Sequence, residues 1–140
     1  MVQTKINDST SFECEELAIQ SYFSTLNQGQ FELTAALFSS QGQLVPPFDS
    51  PVTGPQAIAD YLHQEATDMK FQPRSATSQV LPNGQTDVEV RGQVSTSLFQ
   101  VNVVWNFLLS DQGEIDLVKV NLIASMQELL RINPQGWQEN

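Results

Sequence analysis

At 140 residues the chain is long enough to bury most of the apolar surface it exposes when unfolded, so one domain is the simplest expectation. Sixteen acidic against six basic side chains give a formal charge of −10, which repels phosphate backbones and anionic bilayers and argues against nucleic acid as a partner. A single Cys excludes an internal disulfide, and with neither a secretory leader nor an apolar run long enough to span a bilayer, no membrane insertion and a cytoplasmic location are expected.

In chain order, residues 1–10 are polar and read as a flexible N-terminus. Asp8, Ser9 and Thr10 offer N-cap side chains to a helix over 11–27, and Glu13, Glu15 and Glu16 sit in its first turns, where the helix dipole favours negative charge. Cys14, Leu17, Ala18, Ile19, Tyr22, Phe23 and Leu26 form a wide apolar stripe. Tyr22 lies inside that stripe, and read from the residues alone it is a core tyrosine whose hydroxyl finds a backbone carbonyl. The break Asn27-Gln28-Gly29-Gln30 leads to a short helix over 31–38. A strand over 42–47 is kept short by Pro46 and Pro47, which lack backbone donors and, with Phe48, Pro51 and Gly54, make a stiff apolar corner. Pro55 suits the first turn of a third helix, 55–67, buried through Ile58, Ala59, Leu62 and Ala66, with His63 and Asp60 at exposed or boundary positions.

After Lys70 the apolar period changes from 3.6 to 2. A strand over 71–81, a turn at Pro82-Asn83-Gly84 and a strand over 85–97 follow, with Val88, Val90, Gly92, Val94 and Thr96 facing in. Gly92 on the inward row marks a bend or a close approach to the backbone. From 98 the next strand sets Phe99, Val101, Val103, Trp105, Phe107 and Leu109 on one face. After a turn at 110–113, Ile115 and Leu117 are in phase. The apolar row then shifts to Val118, Val120, Leu122 and Ala124, which predicts a bulge or a change of buried face near Leu117. A terminal helix over 126–132 and a polar tail over 134–140 close the chain, so the domain is expected over 11–133.

Helices followed by a curved antiparallel meander are an α+β order. Helices folded over the concave face of such a sheet enclose an apolar pocket, with Trp105 and Tyr22 as its polar handles. Catalytic signatures are lacking. One His and one Cys do not make a zinc site, so no metal is expected, and no Gly-rich phosphate loop follows a strand. Asp87, Glu89 and Asp116 alternate with apolar neighbours and read as solvent-facing, so the sequence argues for binding more than for catalysis.

The order of helices and meander resembles the nuclear transport factor 2-like superfamily, which contains ketosteroid isomerases, polyketide cyclases and many non-catalytic binding modules. Three segments are similar, more narrowly, to the C-terminal-domain family of the cyanobacterial orange carotenoid protein and its stand-alone homologues: 44–54 (LVPPFDSPVTG), 92–99 (GQVSTSLF) and 105–130 (WNFLLSDQGEIDLVKVNLIASMQELL). The likeness covers 17–132. It implies a cone in which a curved, antiparallel or mixed sheet is covered by the N-terminal helices. It further implies a ligand site in which a Tyr on the first helix and a Trp on a central strand donate hydrogen bonds to the keto oxygen of a ketocarotenoid. Tyr22 and Trp105 stand at the matching positions, and Phe107, Thr96 and Phe99 match positions in or near the family's tunnel.

There are departures from the family pattern. Arg74 stands where two-domain members carry a Glu that pairs with their partner domain, and Leu98 replaces a Trp. With no N-terminal carotenoid domain in the chain, the expectation is a stand-alone pigment binder serving storage, transfer or photoprotection, not a light-gated switch within one chain. A compact chain of this length has a radius of gyration of about 14 Å, shorter than an extended carotenoid. The resemblance therefore implies a homodimer sharing one pigment, or transfer to a separate carotenoid-binding partner domain. An isomerase- or cyclase-type enzyme using the same cavity, and a scaffold module with a filled cavity, are the alternatives. Cys14 reads as a small core hydrophobe or a redox-sensitive thiol.

Overall fold

A computed structural model describes residue 14 and residues 16–123. The predicted caps Asp8, Ser9 and Thr10, the acidic residues Glu13 and Glu15, the terminal helix over 126–132 and both polar ends lie outside the described residues. The elements run α1 (Leu17–Asn27), α2 (Phe31–Ala35), β1 (Phe38–Val45), β2 (Val52–Thr53), α3 (Pro55–Glu65), β3 (Lys70–Val80), β4 (Thr86–Ser95), β5 (Gln100–Leu109) and β6 (Ile115–Ile123). No described helix is long and apolar enough to cross a membrane.

The strands form one six-stranded sheet in the order β2-β1-β6-β5-β4-β3. Strands β3 to β6 are an antiparallel meander, as the period-2 rows predict, while β1 joins β6 in parallel and makes the sheet mixed. It does not close into a barrel, and the helices cover one face. The architecture is the expected α+β, NTF2-like one. On the helix-covered face Val88, Val90 and Val94 of β4 and Val103, Trp105, Phe107 and Leu109 of β5 are buried in one core with Ile19, Phe23, Ile58 and Leu62. Each such side chain contributes about 1.5–3 kcal/mol by leaving water.

Three helix boundaries differ from expectation. Cys14 and Glu16 are not helical, and α1 starts at Leu17 after Glu16 in an extended conformation (φ −85°, ψ 112°). Leu17 is consequently exposed rather than part of the stripe. The second helix ends at Ala35 instead of continuing through Phe38, because Leu37 and Phe38 are taken into the sheet. The Ile115 amide donates to the Leu37 carbonyl at 3.0 Å, and Phe38 pairs with Ile115. The strand expected at 42–47 therefore begins at Phe38, and it ends at Val45 immediately before the two prolines, which cannot donate to a ladder. The third helix ends at Glu65, two residues short of the predicted end.

The predicted bulge is present. Leu108 pairs with Leu117 and Leu109 with Ile115, leaving Asp116 as the extra residue, so that Ile115 and Val118 are both buried. Its carboxylate accepts from Ser39 Oγ at 2.8 Å and Gln85 Nε2 at 3.0 Å. A second bulge, at Arg74, lies between the pairs Pro73–Gly92 and Ser75–Arg91. There Gly92 admits the facing backbone: a Cβ on it would stand 2.2 Å from the Gln72 carbonyl oxygen and 2.7 Å from Pro73 Cα. Asn27, the last residue of α1, exchanges two 2.8 Å hydrogen bonds with the backbone of Phe71 and pins the helix end to the start of β3.

Candidate functional site

Helical spacing brings Ile19, Tyr22, Phe23 and Leu26 of α1 onto the sheet, all of them buried. Trp105 stands in the middle of β5, paired with Val90 of β4 on one side and Val120 of β6 on the other. Edge-to-face contacts fix the rings: Phe23 on Trp105 at a centroid distance of 4.8 Å, Tyr22 on Phe107 at 5.1 Å and Tyr22 on Phe23 at 5.1 Å. Beside these rings lies a cavity of about 350 Å³ whose walls include Leu44, Leu62, Val94, Val103 and Val120. That volume falls at the lower end of ligand pockets, which span about 300–1,000 Å³.

Tyr22 and Trp105 both line the cavity, with exposures of 2% and 1%. Neither the phenol O–H nor the indole Nε1–H has a hydrogen-bond partner among the described residues. No backbone carbonyl among the described residues meets the Tyr22 hydroxyl as expected, and the ring is held edge-on to Phe107. Burial alone pushes the Tyr22 phenol well above its ordinary pKa of 10.0, so the group stays neutral and remains a donor. A buried hydroxyl or N–H without a partner costs about 1–3 kcal/mol, and two such groups facing one cavity are uncommon in a finished core.

The other residues singled out from sequence separate in space. Phe99 lines the cavity and is 53% exposed at its rim. Phe107 does not line it; fully buried beneath Tyr22, it sets that ring's orientation. Thr96 lies in the β4–β5 turn, where its Oγ1 accepts from the amides of Leu98 and Phe99 at 3.1 and 3.3 Å, and it thereby presents Phe99 to the cavity.

Three polar residues at the mouth escaped the sequence reading. Asp49, Tyr61 and Glu65 also line the cavity, and the Tyr61 hydroxyl donates to Asp49 Oδ2 at 3.0 Å. Tyr22 and Trp105 are therefore not its sole polar handles. Partial burial, followed by the bond to Asp49, pushes the Tyr61 phenol well up. The signal was legible in part, since Ile58, Tyr61, Leu62, Glu65 and Ala66 fall at i, i+3, i+4, i+7 and i+8. No cluster of three metal-ligating side chains occurs among the described residues. His63 is exposed, as expected, and meets Glu32 at 2.7 Å away from the cavity. Its presence lowers the Glu32 pKa, first through that hydrogen bond. Cys14 is half-buried against the core.

Residues 16–123 match the nuclear transport factor 2 (NTF2) domain. An orange carotenoid-binding protein of Synechocystis sp. is 33% identical over 116 residues, covering 80% of this chain and 37% of that protein. One from Limnospira maxima is 31% identical over 115 residues, covering 79% of this chain and 36% of that protein. A solved structure of the Anabaena (Nostoc) sp. orange carotenoid protein binding canthaxanthin superposes with a TM-score of 0.78 at 31% identity, covering 89% of this chain and 42% of the other. The chain thus spans well under half the length of these relatives. Fold, sequence match and relatives agree with the resemblance carried by 44–54, 92–99 and 105–130, and the chain belongs to the nuclear transport factor 2 domain family.

Proposed function

We propose that this chain binds the keto ring of a ketocarotenoid, with the Tyr22 hydroxyl and the Trp105 indole N–H donating to the ring carbonyl. The observation that carries this reading is a pair of buried donor side chains, without a partner among the described residues, that line one apolar cavity. A carbonyl accepts two hydrogen bonds, and both donors are uncharged, so they satisfy a ligand oxygen without placing an ion in hydrocarbon. The valine and leucine walls take the methylated ring, and Phe99 at the rim accompanies the polyene outward. Phe107 and Thr96 act indirectly, the first by orienting Tyr22 and the second by holding the turn that carries Phe99.

The proposed role is carotenoid storage, transfer or photoprotection in the cytoplasm. A forty-carbon pigment exceeds this cavity, and Phe48, Phe99 and Leu122 are exposed where they line it. The far end of the pigment is then covered by a second copy of the chain, as a homodimer, or by a separate carotenoid-binding domain to which pigment passes. An isomerase or cyclase would need a carboxylate against the reacting atoms, whereas Asp49 and Glu65 are exposed side chains at the mouth. An open cavity likewise argues against a purely structural scaffold.

The test is expression in cells that make ketocarotenoids, followed by the visible spectrum of the purified protein. A broad red-shifted band eluting at the size of a dimer is expected, weakened or shifted by Tyr22→Phe and by Trp105→Phe. Folded but colourless protein from pigmented cells would refute the proposal, as would spectra unchanged in both variants.

A further inference from the structure

Asn27 ends α1 outside the cavity wall, yet it joins this helix to the sheet. Strand β3 lies at the sheet's edge, so the amide and carbonyl of Phe71 on its open side have no neighbouring strand to meet. The Asn27 carboxamide takes that place: Nδ2 donates to the Phe71 carbonyl and Oδ1 accepts from the Phe71 amide, both at 2.8 Å. The Phe71 side chain lines the cavity, as do its strand partner Val94 and Leu26, the residue before Asn27. The clasp thus lies directly behind the wall. By contrast, the Thr25 hydroxyl turns to the Ser21 carbonyl of its own helix at 2.7 Å and to Thr34 of α2 at 2.6 Å. Asparagine is a weak helix former, and the contact with Phe71 explains its place in the last turn of α1.

Apolar contacts hold α1 against the sheet, but they are non-directional and leave its rotation about its own axis loosely set. Hydrogen bonds are directional, and two of them from one carboxamide to one residue fix that rotation. Tyr22 stands five residues before Asn27, about 7.5 Å along the axis and about 140° around it, so the clasp at the edge strand governs where the phenol is carried. A phenol oxygen lies about 8 Å from its helix axis, and a turn of about 10° moves it by about 1.4 Å, out of reach of a bond already made. Phe107 and Phe23 orient the ring itself, while the clasp orients the helix that bears it. Trp105 is anchored independently, between Val90 and Val120 in the middle of the sheet. On the reading of the cavity as a ketocarotenoid site, on which this rests, we infer that Asn27 is a positioning residue: by clasping Phe71 it sets α1 so that the Tyr22 hydroxyl meets the same ligand carbonyl as the Trp105 indole.

The test compares four full-length chains: unmodified, Tyr22→Phe, Asn27→Ala and the double variant. Each is loaded with canthaxanthin from neutral phosphatidylcholine vesicles, with far-UV circular dichroism confirming that it is folded. Asn27→Ala should weaken uptake by up to about tenfold, the loss of one hydrogen bond to the carbonyl, and move the visible band in the same direction as Tyr22→Phe. In the Tyr22→Phe background the same substitution should add almost no band shift, because the group it positions is gone. Asn27→Asp keeps an acceptor for the Phe71 amide and loses the donor; it should shift the band less, and it carries the comparison if Asn27→Ala does not fold. Equal shifts in both backgrounds would overturn the positioning role, since Asn27 would then act on packing alone. So would unshifted Asn27 variants beside a coloured unmodified chain, and both results leave the ketocarotenoid reading intact. An unmodified chain that takes up no pigment would overturn that reading and the role of Asn27 together.

Discussion

Removing the single oxygen of Tyr22 is expected to move stability and pigment binding in opposite directions. In the ligand-free chain the hydroxyl is buried without a partner among the described residues, and such a group costs about 1–3 kcal/mol relative to an apolar one of the same shape. Tyr22→Phe keeps the ring, and with it the edge-to-face contacts to Phe107 and Phe23, so no packing is lost. The cavity opens past exposed side chains, which places the gain at the lower end, about 1 kcal/mol. An unfolding entropy of about 2.1 cal/mol/K per residue over 140 residues is about 0.3 kcal/mol/K, and the corresponding rise in Tm is about 3 °C. Binding should weaken up to about tenfold, because the carbonyl loses one of its two donors. Calorimetric melting of pigment-free protein measures the first effect, and partition of canthaxanthin from vesicles measures the second. A fall in Tm of similar size would refute the reasoning, since it would show that the hydroxyl is satisfied in the ligand-free fold.

Two further expectations follow from the same geometry. Tyr22 and Tyr61 are the chain's two tyrosines, and both phenols are raised above 10.0, so the folded state holds these protons more tightly than the unfolded chain. Their contribution to stability is complete below pH 10 and is lost as the pH rises beyond it. The ultraviolet signal of tyrosinate should therefore appear together with unfolding, and a reversible titration of folded protein at pH 10 would contradict this. Gly92→Ala should cost about 1–3 kcal/mol in chemical denaturation, because its Cβ would meet the backbone of Gln72 and Pro73 at 2.2 and 2.7 Å and the β3 bulge must shift. A loss below about 0.5 kcal/mol, the range of an ordinary surface change, would mean that the bulge yields freely.

Much of the fold was legible because it depends on local alternation. The rows Val88–Val90–Val94 and Val103–Trp105–Phe107–Leu109 each repeat with period 2, and burial of one sheet face dictates such rows wherever they occur. The bulge at Asp116 could be read for the same reason, since Ile115 and Val118 cannot both point inward without an extra residue between them. Residues 36–38 were not legible. FELTAALF is as apolar on a helical period as on an extended one, and the choice was made by Ile115, distant in sequence, which draws Leu37 and Phe38 into the sheet. The bulge at Arg74 was equally hidden, and Gly92 announced a close approach without naming the backbone that makes it.

For the site, the sequence by itself determined which side chains face the helix–sheet interface, because helical and strand periods are properties of the local chain. That places Tyr22 and Trp105 on facing elements, whereas Tyr61 falls outside the predicted stripe of α3 although it stands at helical spacing from Ile58. Only the tertiary structure decided what their polar atoms meet. Whether the Tyr22 hydroxyl finds a carbonyl depends on the rotation of its ring, and that is set by Phe107 from β5 and Phe23 from its own helix. Whether Tyr61 is a surface phenol or part of the mouth depends on the corner that brings Asp49 within 3.0 Å. Hydrogen bonds require partners within a few tenths of an ångström, and that precision comes from packing between distant segments, which no local pattern encodes.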